Sequence, residues 1–247
     1  MNELGGTPPG PAAALNTVTR TLRRMLPRPL KSFLKNRWNE ARFHAACRKL
    51  LALPQGEALP VPLIEQLRSS WDNEGMAAST TLLQAVARLI PQHRHGILEC
   101  GSGLTTIVMG ALTRGTGRRV VALEHMPDWA LRVQGVLDRL GLGHVQVVHS
   151  ALEEFEDFAW YEVEPTHIAG PFDLVLCDGP PARTFGGRRG LLPRMQSLLE
   201  PGAVILFDDP NVPSEQETLR TWQARFAIRY RLEGSETGTP VAIIDGL

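Results

Sequence analysis

The 247-residue chain has no lysine beyond Lys49; its three lysines, Lys31, Lys35 and Lys49, lie near the start. Residues 51–247 therefore hold no P-loop lysine, Schiff-base lysine or lysine general base. Cysteine is scarce as well. Cys47, Cys100 and Cys177 are too scattered for a zinc cluster or a disulfide framework, and they read as reduced core thiols of a cytoplasmic protein. No apolar run is long enough to cross a bilayer, and the N-terminus lacks a secretory apolar segment.

The formal net charge is zero, but it is unevenly spread. Residues 1–50 carry ten Lys or Arg against Glu3 and Glu40 (10 − 2 = +8), and residues 51–247 carry 16 Arg against 24 acids (16 − 24 = −8). Residues 1–16, rich in Gly, Pro and Ala, read as a disordered tail. Residues 17–70 read as a basic helical extension and linker. Leu30, Phe33, Leu34, Trp38, Ala41 and Ala45 recur there at three- and four-residue intervals, with Pro54, Pro60 and Pro62 marking the linker. Three readings of residues 18–50 stand open: a helix packed on the domain or on a second copy, a peripheral anchor on an anionic membrane, and a nucleic-acid contact. The last is disfavoured by the acidic strand ends described next.

From residue 71 onward, apolar runs alternate with helical patterns. Strands are expected near 96–100, 119–124, 144–149, 172–178 and 202–208. Helices are expected at Ser79–Ile90 and near 104–114, 128–140, 190–200 and 214–224. This is a doubly wound α/β pattern with a mostly parallel sheet. Phe226–Leu232 and Val241–Ile244, with no helix between them, read as a closing antiparallel hairpin.

The most informative stretch is Ile97-Leu98-Glu99-Cys100-Gly101-Ser102-Gly103-Leu104-Thr105-Thr106. A second run, Val120-Val121-Ala122-Leu123-Glu124, places another acid 21 residues after Gly103. Glycines after a first strand let backbone approach a nucleotide-like ligand, and an acid ending the second strand can pair with a ribose diol. Thr106 stands where a dinucleotide fingerprint would have its third glycine, so the turn alone is not an NAD site.

Glu99, Gly101, Gly103, Glu124 and the terminal hairpin together resemble the class I S-adenosylmethionine-dependent methyltransferases. The likeness spans roughly residues 75–247 and implies a seven-stranded Rossmann-like sandwich. It places the methionine amino group at Glu99 and the methionine moiety along Gly101, Ser102 and Gly103. Thr105 and Thr106 become donors to the cofactor carboxylate, and Glu124 takes the ribose. His125, Ser150 and Ala151 lie around the adenine.

A further segment, Phe172 to Pro181, ends its strand at Asp178, and the next strand ends in Asp208-Asp209-Pro210. Three carboxylates at neighbouring strand ends suit a hard cation such as Mg²⁺. The chain here resembles metal-dependent small-molecule and sugar O-methyltransferases, although the catechol-type branch has an Asn and a nearby Lys that this sequence lacks. Without metal, Asp178 remains the candidate general base. Helix capping and turn formation are the plainer roles of Asp208 and Asp209. Trp160 and Tyr161, with Glu164 and His167 following, are expected beside an acceptor ring, and Arg188 in a flexible 183–190 loop beside an acidic acceptor group. The reaction expected is O-methylation of a small molecule or glycan. The alternatives are an aminopropyl transferase on the same fold and a non-catalytic, membrane-associated cofactor-binding scaffold.

Overall fold

The structure, a computed structural model, describes residues 27–71, 77–163, 168, 170–234 and 238–246, with the side chains of Arg28 and Pro29 left aside. The proposed tail at 1–16, Glu164 and His167 lie outside the described residues.

Among the described residues, three α-helices precede the sheet. Helix α1 (Arg28–Ala52) starts after Pro27, and α2 (Val61–Ser70) starts after Pro60 with Pro62 in its first turn. The expected linker around Pro60 and Pro62 is thus a helix start, because a first-turn proline removes only an N–H that has no intrahelical partner. Helix α3 (Thr80–Leu89) is capped by Ser79, whose hydroxyl accepts from the Leu82 N–H at 3.0 Å.

Strand β1 (Gly96–Cys100) leads through the glycine corner into α4 (Leu104–Thr113). Then come β2 (Val120–Glu124), α5 (Pro127–Arg139) and β3 (Val145–His149). A two-stranded antiparallel hairpin, β4 (Leu152–Glu154) and β5 (Ala159–Tyr161), follows. After it come β6 (Phe172–Cys177), α6 (Leu191–Met195), β7 (Leu199–Asp208), α7 (Pro213–Phe226), β8 (Arg229–Glu233) and β9 (Val241–Asp245). The helix expected over 190–200 is shorter than its pattern: α6 gives way to a 3₁₀ turn at Gln196–Leu198, and Leu199 already pairs with Phe172.

The seven-stranded sheet has the order β3-β2-β1-β6-β7-β9-β8. The first five strands are parallel, whereas β9 runs antiparallel to both neighbours. This is the expected doubly wound sheet with its closing hairpin. The direction of strand order reverses between β1 and β6, and the loops leaving their carboxyl ends separate there. The two faces are covered unequally. One carries α1 to α5, with Phe43, Leu50, Ile64, Leu67, Leu83 and Val108 in a single apolar cluster. The other carries the β4–β5 hairpin, α6 and α7, centred on Trp160, Phe172, Phe207 and Trp222. The expected boundary at residue 70 thus falls within one continuous core. Among the described residues no helix is long and apolar enough to cross a membrane.

Candidate active site

Alternation along β1 sends Leu98 and Cys100 to one face and Glu99 to the other, where α4 begins. Glu99 is fully buried and accepts hydroxyl hydrogen bonds from Thr105 and, at 2.6 Å, from Thr106. Burial pushes its carboxyl up to about 8, against the pull of both hydroxyls, and nearby Glu124 pushes the same way. Thr105 and Thr106 were expected to face the cofactor carboxylate; in this conformation they hold Glu99 instead. The Thr106 hydroxyl also accepts from the Gly103 N–H at 2.8 Å, closing the first turn of α4.

Glu124 is handled in the opposite way. Burial alone would raise its carboxyl. The donors His125, Met126 N–H, Ser102 N–H and Ser102 Oγ together outweigh burial and leave the group below the ordinary range. The distances are 3.0 Å from His125 Nδ1, 2.8 Å from Met126 N, and 3.1 and 3.0 Å from Ser102 N and Oγ. Burial thus raises one carboxyl of the corner, while hydrogen-bond donors lower the other. Trp129 in α5 adds a brace, its indole N–H donating to the Ser102 carbonyl at 2.9 Å. Ser150 donates its backbone N–H to the Glu124 carbonyl at 2.8 Å, and its buried hydroxyl has no partner among the described residues. Ala151 is exposed beside it.

The corner is narrow where two turns meet. Gly101 has φ +87°, and a β-carbon there would lie 3.0 Å from Gly179 N. A β-carbon on Gly179 would meet Tyr161 Oη at 2.6 Å and Gly101 Cα at 2.7 Å. Only glycine fits both positions. A β-carbon on Gly103, by contrast, would meet nothing within 4 Å, so the corner opens there, which suits a ligand lying against backbone.

Across the switch point, Asp178, Asp208 and Asp209 bring carboxylate oxygens within 4.8 Å of one another. Asp209 sits at φ +56°, a left-handed conformation that aspartate tolerates better than most side chains. Burial pushes Asp208 up to about 8, with Asp178 and Asp209 adding to it. Burial also lifts Asp178 to about 6, restrained chiefly by Arg188.

The role expected for Arg188 is corrected here. It is 3% exposed and turned inward, so it does not face an acceptor. Its guanidinium donates to the carbonyls of Asp208 (2.6 Å), Asp178 (3.0 Å) and Pro180 (3.4 Å), and to carboxylate oxygens of Asp178 (3.2 Å) and Asp209 (3.3 Å). Glu215, fully buried in the first turn of α7, accepts from the Arg188 N–H at 3.3 Å. A buried guanidinium thus ties the tips of β6 and β7 to the 183–190 loop. Glu215 escaped the sequence reading because an acid in a helix's first turn is ordinary dipole chemistry. Its only further signal was that it follows the Asp-Asp-Pro turn.

Trp160 and Tyr161 also depart from expectation. Both are fully buried, so neither offers a face to an acceptor in this conformation. The 183–190 loop packs over their hairpin: Ala159 N–H donates to the Phe185 carbonyl at 2.7 Å, and a β-carbon on Gly190 would touch the Trp160 ring. Trp222 Nε1 holds the Arg189 carbonyl at 2.9 Å. The loop is clamped, not free.

The donor set fits a hard cation. Arg188 engages one oxygen each of Asp178 and Asp209, Asp178 and Asp208 share a side-chain hydrogen bond, and Oδ1 of the buried Asp208 has no partner among the described residues. One oxygen of each of the three lies within 4.8 Å of the others, and oxygen-only sets suit Mg²⁺.

Comparison with known proteins agrees with this geometry. A family model described as a methyltransferase domain matches residues 98–210. No curated protein matches the chain. Among solved structures, an O-methyltransferase from Bacillus cereus in complex with SAH is similar in fold, with 18% identity, TM-score 0.53, and 82% of this chain and 91% of that one covered. The cofactor-bound Rv0187 from MTB shows 21% identity and TM-score 0.51 over 90% of this chain and 98% of that one.

Proposed function

We propose that this chain is a class I S-adenosylmethionine-dependent methyltransferase that methylates a hydroxyl oxygen of a small molecule or glycan, a reading supported by the methyltransferase-domain match over residues 98–210 and by the fold. The observation that carries this reading is the Asp178, Asp208, Asp209 trio. It stands across the switch point from the Glu99–Glu124 corner, in a stretch of chain without lysine. S-adenosylmethionine, when bound, supplies a methyl group already activated by the sulfonium charge, so the protein must align, dehydrate and deprotonate the acceptor.

In this reading Glu124, ionised before binding, exchanges its Ser102 and His125 donors for the ribose hydroxyls. Glu99 would face the methionine ammonium as a carboxylate, with any proton it carries passing to solvent. Gly101 to Gly103 let the backbone approach the cofactor, and His125, Ser150 and Ala151 border the adenine. Without a cation, Asp178 would accept the hydroxyl proton. Asp178, Asp208 and Asp209 would hold Mg²⁺, which supplies Lewis acidity to the acceptor hydroxyl. Arg188 keeps the trio in register from behind.

Calorimetry and a turnover assay test this together. Micromolar S-adenosylhomocysteine binding is expected. Asp178→Asn should abolish turnover while changing that affinity by less than about threefold. Turnover undiminished in excess EDTA would remove the cation from the reading, and absent S-adenosylhomocysteine binding would remove the corner.

A further inference from the structure

Helix α1 has two apolar sides, and the protein uses only one. Phe43, Ala46, Cys47 and Leu50 are buried in the core. Leu30 (42% exposed), Phe33 (58%), Leu34 (48%) and Trp38 (56%) are not. At about 100° per residue, these four centre on nearly the opposite side of the helix from the buried set. They therefore form a second stripe and do not continue the core face. Lys31, Lys35 and Arg42 line one flank of that stripe, Arg37 lies within it, and Arg42 stacks on Trp38 at 4.5 Å.

The stripe has a fixed place relative to the active site. The carbonyl of Leu51, near the end of α1, accepts from Arg114 at 2.7 Å, just past the C-terminal end of α4. Eight residues earlier, Phe43 packs on Trp71 at 5.0 Å, Trp71 on Trp129 at 5.7 Å, and Trp129 donates to Ser102 in the glycine corner. Helix α1 therefore runs parallel to α4, with Leu51 beside the end of α4 and Phe43 on the side of the carboxyl edge of the sheet. Residues 38 back to 30 continue the helix for about 12 Å at 1.5 Å per residue, and every one of them is exposed.

We propose that this projecting half of α1 docks on an anionic lipid bilayer, with Leu30, Phe33, Leu34 and Trp38 in the interface and the basic flank against the headgroups, so that the cofactor edge faces the membrane. Charge selects the occupant. Residues 1–50 carry the +8 and residues 51–247 the −8, so the cationic prong meets an anionic surface while the rest of the domain is held off. An isologous pairing of two such stripes would instead set Lys31, Lys35 and Arg37 of both copies against each other. Residues 1–26 add Arg20, Arg23 and Arg24 to the same positive charge. An apolar stripe flanked by lysine and arginine is the form of helix that lies in a bilayer interface.

The test is flotation of the full chain with vesicles of phosphatidylcholine alone, and of phosphatidylcholine mixed with phosphatidylglycerol. Binding to the mixed vesicles alone, weakened by high salt, is expected. The double variant Phe33→Glu/Trp38→Glu should lose it by about tenfold or more with S-adenosylhomocysteine affinity and melting temperature unchanged. Equal binding of variant and parent would overturn the proposal, as would binding that vanishes on deleting residues 1–26 while the double variant retains it. So would light scattering that shows a dimer abolished by the double variant, or preference for a nucleic-acid duplex over the vesicles.

Discussion

Two groups of acids stand at the carboxyl edge of the same sheet, and the fold neutralises them differently. At the β1–β2 corner, Glu99 and Glu124 are held without any Arg or Lys, by the hydroxyls of Thr105, Thr106 and Ser102, backbone N–H groups, and the His125 ring. At the β6–β7 tips, Asp178, Asp208, Asp209 and Glu215 surround one buried cation, Arg188. Such donors can be exchanged one at a time for those of an incoming ligand. A guanidinium bonded to three backbone carbonyls cannot leave without the loop that carries it. The donors of the corner are thus free to be replaced singly, whereas the acid cluster is tied to its loop.

Removing the cation should break the contrast most severely. Arg188→Met leaves buried carboxylates uncompensated and should cost about 3–5 kcal/mol, a fall of roughly 10 °C in melting temperature for a chain of this size. A shift under about 2 °C would mean that the cluster needs no internal cation. The corner should respond in affinity and not in stability. Glu124→Gln is expected to weaken S-adenosylhomocysteine binding by roughly 10- to 100-fold, measured by calorimetry, with little change in melting.

The opposite shifts of Glu99 and Glu124 can be sharpened by pH. Glu99 and Asp208 are raised to about 8, above their unfolded values near 4. Across that interval the folded state binds more protons than the unfolded state, so stability falls as pH rises and levels off above 8. Glu124, held below its ordinary range, contributes the reverse: its stabilisation is present above about 4.5 and lost as pH falls. Glu99→Gln should therefore flatten the decline and gain more relative to the parent at pH 8 than at pH 5, read from urea unfolding at both. An unchanged slope would mean that Glu99 is ionised in the fold. The smallest effect belongs to the brace: Trp129→Phe removes one hydrogen bond to Ser102 and should cost about 0.5–1.5 kcal/mol, by the same unfolding measurement.

Much of this architecture is legible along the chain because its causes are local. Glycine at 101, the acids closing β1 and β2, and the alternation of strand and helix patterns need only neighbours in sequence to express them. The same locality explains why Asp178, Asp208 and Asp209 could be grouped before any coordinates: parallel neighbours end at one edge. Trp160 and Tyr161 were misplaced because aromatic residues beside a switch point look alike whether they face a ligand or a core. Only the 183–190 loop folding over β5 decides between them. Arg188 was misread for a similar reason, since an arginine among glycines reads as solvated until the strand tips close around it.

The amino-acid sequence by itself determined the sheet, the glycine corner and the identity of the acids, because backbone conformation and strand polarity follow from short stretches of chain. The tertiary structure alone decided how those acids are charged, what Arg188 holds, and which side of α1 is left uncovered. Those outcomes depend on burial, and burial is set by segments far apart in the sequence that meet only when the chain has folded.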